Sequence, residues 1–273
     1  MIETGILNEI LTYAPAFLLI AVRAFAMMQA SPLLSSDAIP MVAKFALAGF
    51  AAYAAFPSAL VRDWVLAPFG LGFVFLIIGE ALIGIIIGFY INIIFAAFTT
   101  AGQFFSLQMG FGASETFDPL SQIENPLMGQ YLNLVAMLVF IGIEGFRELF
   151  LGGFWRSLQT INVMSLIEGR ERIVGVMLAG LSRLFLDAII ISLPILGTLF
   201  LTSLSTGLIS KAAPQINILS EGFPVSITVA FIMIYTTLPF MIEAFGRIIN
   251  YGFAGVQALY IEIGQRITNG GGL

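Results

Sequence analysis

The stretch from Gly102 to Pro126 reads GQFFSLQMGFGASETFDPLSQIENP and separates two long apolar parts of the chain. Its first half is rich in phenylalanine, leucine and methionine between glycines, and its second half is acidic and contains Pro119. Glycine permits positive φ angles and close packing, whereas proline interrupts a helix. The composition therefore predicts a long irregular loop in the middle of the chain.

Two interpretations of this loop stay open from its residues alone. It is either a surface loop with aromatic side chains at the membrane interface, or a re-entrant segment that closes a path through the membrane. Irregular backbone at membrane depth is tolerated only where it is buried in protein or lines a cavity. The second interpretation therefore requires neighbouring helices or subunits around the loop.

The overall composition is that of a membrane protein. Of the 273 residues, 59% are hydrophobic and only 10% are charged, whereas about a quarter of the residues in a soluble domain are charged. The apolar stretches are separated by proline, glycine and charge, and they lack the alternating pattern of barrel strands. The predicted fold class is therefore all-α and integral to the membrane.

The residue types that are missing exclude several functions. The chain contains no histidine and no cysteine, which removes His-ligated zinc and haem, HExxH proteases and Ser-His nucleophilic catalysis. There is no Walker A sequence, no GxGxxG after a strand and no cluster of basic residues for nucleic acid. We expect no enzymatic activity, no cofactor, no metal site and no nucleic-acid partner.

Apolar segments of helical length follow one another along the chain. Their approximate ranges are 6–30, 40–56, 69–101, 127–143, 172–208 and 225–245. A short amphipathic helix is predicted at an interface over 146–160. The connection between the fifth and sixth segments is predicted over 211–224. The tail over 248–273 is amphipathic.

Two of these segments are too long for a simple span. The third contains 33 residues, which corresponds to roughly 50 Å of helix against a hydrocarbon core of about 30 Å. The fifth is also too long, and Pro194 should kink it. Such helices must tilt, bend or leave the bilayer.

Charged residues lie in or beside the apolar segments and must face protein or water. Two pairs stand four residues apart, Arg183 with Asp187 and Glu243 with Arg247, which predicts an ion pair on each helix face. Glu80 has no such neighbour. It is a carboxylate that is bonded inside the bundle or faces the headgroups, a proton-coupling group, or a contact to another subunit.

Gly84 and Gly88 form a GxxxG pattern that follows Glu80 at helical spacing. Small residues at this spacing let another helix approach closely. The partner helix belongs either to the same chain or to another subunit, and the pattern alone does not distinguish them.

Taken in order, these features and others resemble the FliR/SctT family of type III secretion export-gate subunits. The N-terminal part of the resemblance consists of Arg23, Ser31-Pro32, Pro40, Lys44, Gly79-Glu80, Gly84 and Gly88. The central block is Ala101-Gly102-Gln103, Leu107-Gln108-Met109-Gly110 and Phe117-Asp118-Pro119. The last part comprises Leu193-Pro194, Gly207-Leu208, Ala213-Pro214-Gln215 and Gly222-Phe223-Pro224.

The chain departs from the family pattern at Lys211 and Ser106. Lys211 stands where such sequences often carry arginine, and Ser106 stands where glycine is common. The lysine weakens any expectation of bidentate recognition at that position.

The resemblance implies one domain over residues 1–273 that forms bent helical hairpins within a hetero-oligomeric helical export gate. FliP and FliQ would be its neighbours in the gate, FlhB and FlhA would lie beside them, and unfolded exported proteins would pass through. The setting would be the bacterial inner membrane, at the flagellar basal body, in contact with lipid. The overall pattern favours a flagellar rather than a virulence system.

The resemblance also implies roles for particular residues. Loop 102–126 would be the plug of the closed channel, with apolar side chains that exclude water and glycines that allow movement. The plug candidates are Met109, Gly110, Phe111, Gly112, Phe117, Asp118 and Pro119. Residues for helix packing or partner contact are Glu80, Gly84, Gly88, Pro194, Lys211, Pro214 and Gln215.

Other functions compete with the export gate. The main alternative is a secondary transporter, in which broken helices and Glu80 form a site at the bilayer midplane. A purely structural scaffold, whose loop only packs against partners, is a further alternative. An intramembrane protease ranks last because histidine is absent and no nucleophile stands at a suitable distance from a base.

Overall fold

The computed structural model describes residues 2–36, 39–60, 70–110, 127–213 and 218–270, and for 2–11, 58–60, 218–221 and 262–270 it describes the backbone alone. Over these ranges the chain is helical, with no strand. The elements in order are α1 (Ile2–Ala30), α2 (Met41–Leu60), α3 (Leu71–Met109), α4 (Leu127–Gly142), α5 (Gly145–Arg147), a π-helical segment (Glu148–Trp155), α6 (Arg156–Thr160), α7 (Val163–Glu168), α8 (Arg170–Ala212) and α9 (Ile218–Gly270).

The expected all-α membrane fold is confirmed. Among the described residues, four stretches are long and apolar enough to cross a membrane, namely Thr12–Ala30, Leu71–Met109, Arg170–Ala212 and Gly222–Ile261. Two shorter apolar stretches are Met41–Pro57 and Leu127–Gly142. The chain is an integral membrane protein made of helices.

The prediction of over-long helices is also confirmed. Helix α3 has 39 residues, α8 has 43 and α9 has 53. At a rise of about 1.5 Å per residue, even α3 is roughly twice as long as the hydrocarbon core is thick. Each of these helices must tilt, bend or extend beyond the lipid.

Helix α3 continues into the predicted loop, so the predicted start of that loop at Gly102 is wrong. The helix ends at Met109. Ala101, Phe105 and Met109, which follow one another at four-residue spacing, are fully buried. This buried face keeps the segment helical, and Gly102 is tolerated within it because the backbone of α4 lies against it.

The C-terminal part of the chain also differs from the prediction. A single helix, α9, runs from Ile218 to Gly270 and contains Pro224 and Pro239. It occupies residues 218–224 of the predicted connection and residues 248–270 of the predicted separate tail. A proline removes one N–H donor and thus one hydrogen bond. Two such losses do not end a helix of this length when one of its faces is packed.

The chain divides into two compact units. Unit 1 contains Met1–Asn92, Glu144–Gly180 and Tyr251–Leu273, and unit 2 contains Ile93–Ile143 and Leu181–Asn250. Helices α3, α8 and α9 contribute residues to both units. That residues 1–273 form one domain stays a prediction.

In unit 1, helix α1 packs against both α2 and α3. The face of α2 towards the core is made of small residues, Ala48, Ala52 and Ala55, all buried. The ring of Phe25 on α1 stacks on that of Phe45 on α2, with centroids 4.4 Å apart. Small faces let helices approach closely, which is how helices associate where lipid supplies no hydrophobic driving force.

In unit 2, the core is formed by aromatic rings from three helices. Phe95 and Phe98 of α3 meet Phe140 of α4 and Phe245 of α9, with ring centroids 5.6 Å apart for Phe95–Phe140 and 4.4 Å apart for Phe98–Phe245. Each such pair contributes about 0.5–1.5 kcal/mol beyond the area that it buries. Gly102 and Gly129 add a close approach of α3 to α4.

Candidate functional site

The C-terminal end of α3 is the described part of the predicted plug. Met109 is fully buried, and Gly110 ends the helix with φ at +92°. The Gly110 N–H donates a hydrogen bond to the carbonyl oxygen of Leu107 at 3.1 Å. A Cβ at Gly110 would collide with the ring of Phe223, so both the backbone angle and the available space call for glycine.

The remaining plug candidates, Phe111, Gly112, Phe117, Asp118 and Pro119, lie outside the described residues. The same holds for Pro214 and Gln215. The role of the loop as a plug therefore stays a prediction.

Ser106, one turn before the end of α3, is buried without a hydrogen bond. Its side-chain oxygen has no partner, and the residue is 1% exposed. Other hydroxyls in this protein bond to the carbonyl four residues earlier, as Thr198 does to Pro194 at 2.9 Å. A buried hydroxyl without a partner disfavours the packed state of this turn.

Pro194 and Lys211 both lie in α8. Pro194 is exposed within the helix, and Lys211 is exposed in its last turn. A cation at this end interacts favourably with the helix dipole. The expected kink at Pro194 and the partner contacts of both residues stay predictions.

Glu80 lies in the interior of unit 1, where it forms an ion pair with Arg23. Arg23 is 0% exposed and Glu80 is 4% exposed, and the Nε of Arg23 donates to Glu80 Oε2 at 2.5 Å. Arg23 Nη1 donates to Ser157 Oγ at 3.2 Å, and Nη2 donates to the carbonyl oxygen of Ile161 at 3.0 Å. One guanidinium thus joins α1 to α3 and to both α6 and the residue that follows it.

The glycines after Glu80 explain how α1 comes so close to α3. A Cβ at Gly84 would collide with the carbonyl oxygen of Arg23, and one at Gly88 would collide with that of Met27. Glu80, Gly84 and Gly88 follow at four-residue spacing and therefore share one face of α3. The GxxxG face packs on α1 of the same chain and brings Arg23 within reach of Glu80.

The π-helical segment ends next to this ion pair. Ser157, which accepts from Arg23, donates its hydroxyl hydrogen to the carbonyl oxygen of Phe154 at 2.6 Å. The hydroxyl of Tyr260 on α9 donates to the carbonyl oxygen of Gly153 at 2.8 Å. Arg23 of α1 and Tyr260 of α9 thus contact one helical junction directly, and Glu80 of α3 is linked to it through Arg23. We call this group the polar junction (Arg23, Glu80, Ser157 and Tyr260).

The two predicted ion pairs have different outcomes. Arg183 Nε donates to Asp187 Oδ1 at 3.1 Å, which confirms that pair. Glu243 and Arg247 are both exposed and form no ion pair in the described part of the chain. An additional exposed pair joins Arg147 to Glu144 at 2.9 Å, and the hydrogen bond that Arg147 donates to the Glu144 carboxylate raises the pKa of Arg147.

Sequence reasoning singled out Arg23 and Glu80 but did not pair them. They stand 57 positions apart, and no local spacing links them. The one available signal was that two opposite charges inside apolar segments need partners. Ser157 and Tyr260 carried no signal, because a serine or tyrosine in such a helix is common.

The comparisons with known proteins place these features within a family. Residues 14–251 match the family model described as bacterial export proteins, family 1. The flagellar biosynthetic protein FliR of Bacillus subtilis (strain 168) is 30% identical over 84% of this chain and 88% of its own length.

Two further relatives carry the same name. FliR of Borreliella burgdorferi is 31% identical over 72% of this chain and 73% of its own length. FliR of Escherichia coli (strain K12) is 29% identical over 80% of this chain and 82% of its own length. The similarity thus extends over most of the chain and includes both units.

Proposed function

Because the chain belongs to the bacterial export proteins, family 1, we propose that it is a subunit of the flagellar protein export apparatus in the bacterial inner membrane. It contributes to the closed gate through which unfolded proteins leave the cell interior. It has no catalytic role. The names of the relatives and the long apolar helices support this function.

The observation that carries the gate assignment is the end of α3. The helix is far longer than a simple span and stops at Gly110, whose φ of +92° turns the chain out of the helix. Loop 102–126 was predicted as the plug, and this turn lies within it. An apolar plug with Met109, Phe111 and Phe117 would exclude water and stop ions.

Deleting residues 110–117 tests the plug. We expect the variant to assemble and insert, because the buried end of α3 is kept, and the membrane to become leaky to small ions. The measurement is ion conductance of reconstituted complexes or of whole cells. A deletion of equal length within the tail after Tyr260 serves as the control. Unchanged conductance in an assembled plug variant would refute the plug role.

The proposed neighbours are FliP and FliQ subunits, with FlhB and FlhA nearby. Exposed apolar side chains cover long stretches of α3, α8 and α9, and such faces must contact lipid or other membrane subunits. Purification in mild detergent with mass analysis tests this. We expect small hydrophobic subunits to co-purify, and a chain that purifies alone would contradict the assembly.

A substrate crosslink distinguishes the gate from the scaffold alternative. The chain contains no cysteine, so a single cysteine at Phe111 is unique. In the gate, it should crosslink to an exported protein arrested during passage, whereas a cysteine at the exposed Tyr235 should not. A scaffold gives no crosslink from either position.

The transporter alternative depends on Glu80 as a proton carrier. The ion pair with the buried Arg23 argues against it, because the carboxylate already has a fixed charged partner. Replacing both residues by apolar side chains of similar length, Arg23→Met with Glu80→Leu, removes the charges together, which is often neutral for stability. A gate subunit with both substitutions should still export protein, whereas a transporter should lose proton-coupled uptake.

A further inference from the structure

The C-terminal junction of the π-helical segment is held by groups from outside that segment. The N–H of Arg156 donates to the carbonyl oxygens of both Leu151 and Gly153. A π-type hydrogen bond, to the residue five positions earlier, and a tighter one, to the residue three positions earlier, thus share one donor. The Gly153 oxygen also accepts from the hydroxyl of Tyr260. π-helical turns are rare and need such support, and they are frequent at functional positions.

One part of α9 contacts both ends of the segment. The Nε2 of Gln257 lies 3.4 Å from Glu148 Oε2, at the first residue of the segment. Tyr260 reaches Gly153 near its last residue and is itself buried. Gly255, five residues before Tyr260, leaves no room for a Cβ because the hydroxyl of Tyr90 lies 2.5 Å from that position.

The form of this segment determines where the following residues point. A π turn contains one more residue than an α turn, so a change to α-helix rotates everything that follows by about 100°. The residues that follow include Ser157 and Ile161, which Arg23 binds. Arg23 meets these two groups only if the segment keeps its present register.

We infer that Tyr260 is a positioning residue: its hydroxyl holds Glu148–Trp155 in the π form and thereby keeps Ser157 and Ile161 in register with Arg23. The C-terminal part of α9 thus sets the geometry of a polar cluster whose other members lie more than a hundred positions earlier in the chain. This inference goes beyond the proposed export function and does not depend on it.

Tyr260→Phe removes one oxygen and keeps the ring. We expect amide hydrogen exchange over residues 148–161 to become at least tenfold faster in the purified full-length protein, in the assembly in which it is isolated. Tyr235→Phe is the matched control, since Tyr235 lies on the same helix and is 81% exposed. It should leave exchange over 148–161 unchanged. Unchanged exchange in Tyr260→Phe would overturn the inference.

A deletion separates register control from a hydrogen bond that merely stabilises. Removing the half-exposed Leu151 takes the extra residue out and allows an α-helix with the same downstream register. In this background, Tyr260→Phe should have no further effect on exchange at 157–161. An undiminished effect there would show that Tyr260 does not act through register and would overturn the inference.

A double-mutant cycle covers the case in which the deletion does not fold. Ser157→Ala and Tyr260→Phe act on the same register, so their combined effect on exchange at 157–161 should be clearly smaller than the sum of the single effects. Additive effects would overturn the inference. Hydrogen exchange needs no export assay, so the inference and the proposed function fail or succeed separately.

Discussion

The interiors of the two units are held together by different forces. In unit 1, a buried guanidinium, a carboxylate and two hydroxyls form the polar junction and bond in fixed directions. In unit 2, aromatic rings and glycine contacts fill the core around Phe98, and one buried hydroxyl, that of Ser106, has no partner.

This difference indicates what each unit can tolerate. A buried ion pair with further hydrogen bonds has one good geometry, because any displacement leaves charge without a partner in a low-dielectric interior. Ring packing is less directional, so small displacements cost less. We therefore expect unit 1 to be the rigid part, and the end of α3 in unit 2 to be the part that yields.

The largest effect should come from breaking the buried ion pair. Glu80→Ala leaves Arg23 charged and without its carboxylate, and we expect a loss of about 3–5 kcal/mol in the free energy of unfolding. Thermal unfolding of the purified protein in detergent measures it.

Arg147→Ala is the control for this prediction. Its pair with Glu144 is exposed to water on both sides, so the melting temperature should not change. Equal effects of Glu80→Ala and Arg147→Ala would show that the polar junction does not stabilise unit 1.

Glycine contacts should matter in both units. A Cβ at Gly84 or at Gly102 would meet backbone atoms of a neighbouring helix, so we expect Gly84→Ala and Gly102→Ala each to lower the free energy of unfolding by about 1–3 kcal/mol. Thermal unfolding again provides the measurement.

Each unit offers a control for these glycines. Gly49 in unit 1 and Gly197 in unit 2 have no atom within 4 Å of the added Cβ. Alanine there should stabilise the helix by up to about 1 kcal/mol. If Gly102→Ala behaved like Gly197→Ala, the close approach of α3 to α4 would be wrong.

The smallest expected effects come from replacing a buried serine by alanine, once in each unit. Ser157→Ala removes a hydroxyl that both donates and accepts, and should cost about 1–3 kcal/mol. Ser106→Ala removes a buried hydroxyl without a partner, and should be neutral or stabilising by up to about 1 kcal/mol. Amide hydrogen exchange at 154–161 and at 102–109, respectively, reports each local change. The same sign at both serines would refute the contrast between the units.

Much of the fold could be predicted because it depends on local composition. The long apolar runs defined α1 to α4, α8 and the middle of α9, and the four-residue spacing of Arg183 and Asp187 predicted their pair. The errors arose where packing overrides local signals. Gly102 did not end α3, since a buried face continues through it to Met109. Pro224 did not separate a connection from the last helix, which begins at Ile218.

The candidate site was predictable to a smaller extent. Gly110 was singled out as a glycine of a mobile plug, and the structure adds that its backbone angle and the Phe223 ring require glycine. Glu80 was singled out without its partner, and Tyr260 was not recognised at all. Partners across long separations do not follow from a single sequence, because nothing local depends on them.

By itself, the sequence determined that this protein is helical, lies in a membrane, has no histidine or cysteine chemistry and contains helices too long for a plain span. Those properties follow from composition and from the length of apolar runs, and both can be counted along the chain without knowing which distant residues meet. Only the tertiary structure decided that Arg23 binds Glu80 and that Tyr260 supports a π-helical turn. Such choices depend on which distant groups meet in a dry interior, where every charge and hydroxyl needs a partner.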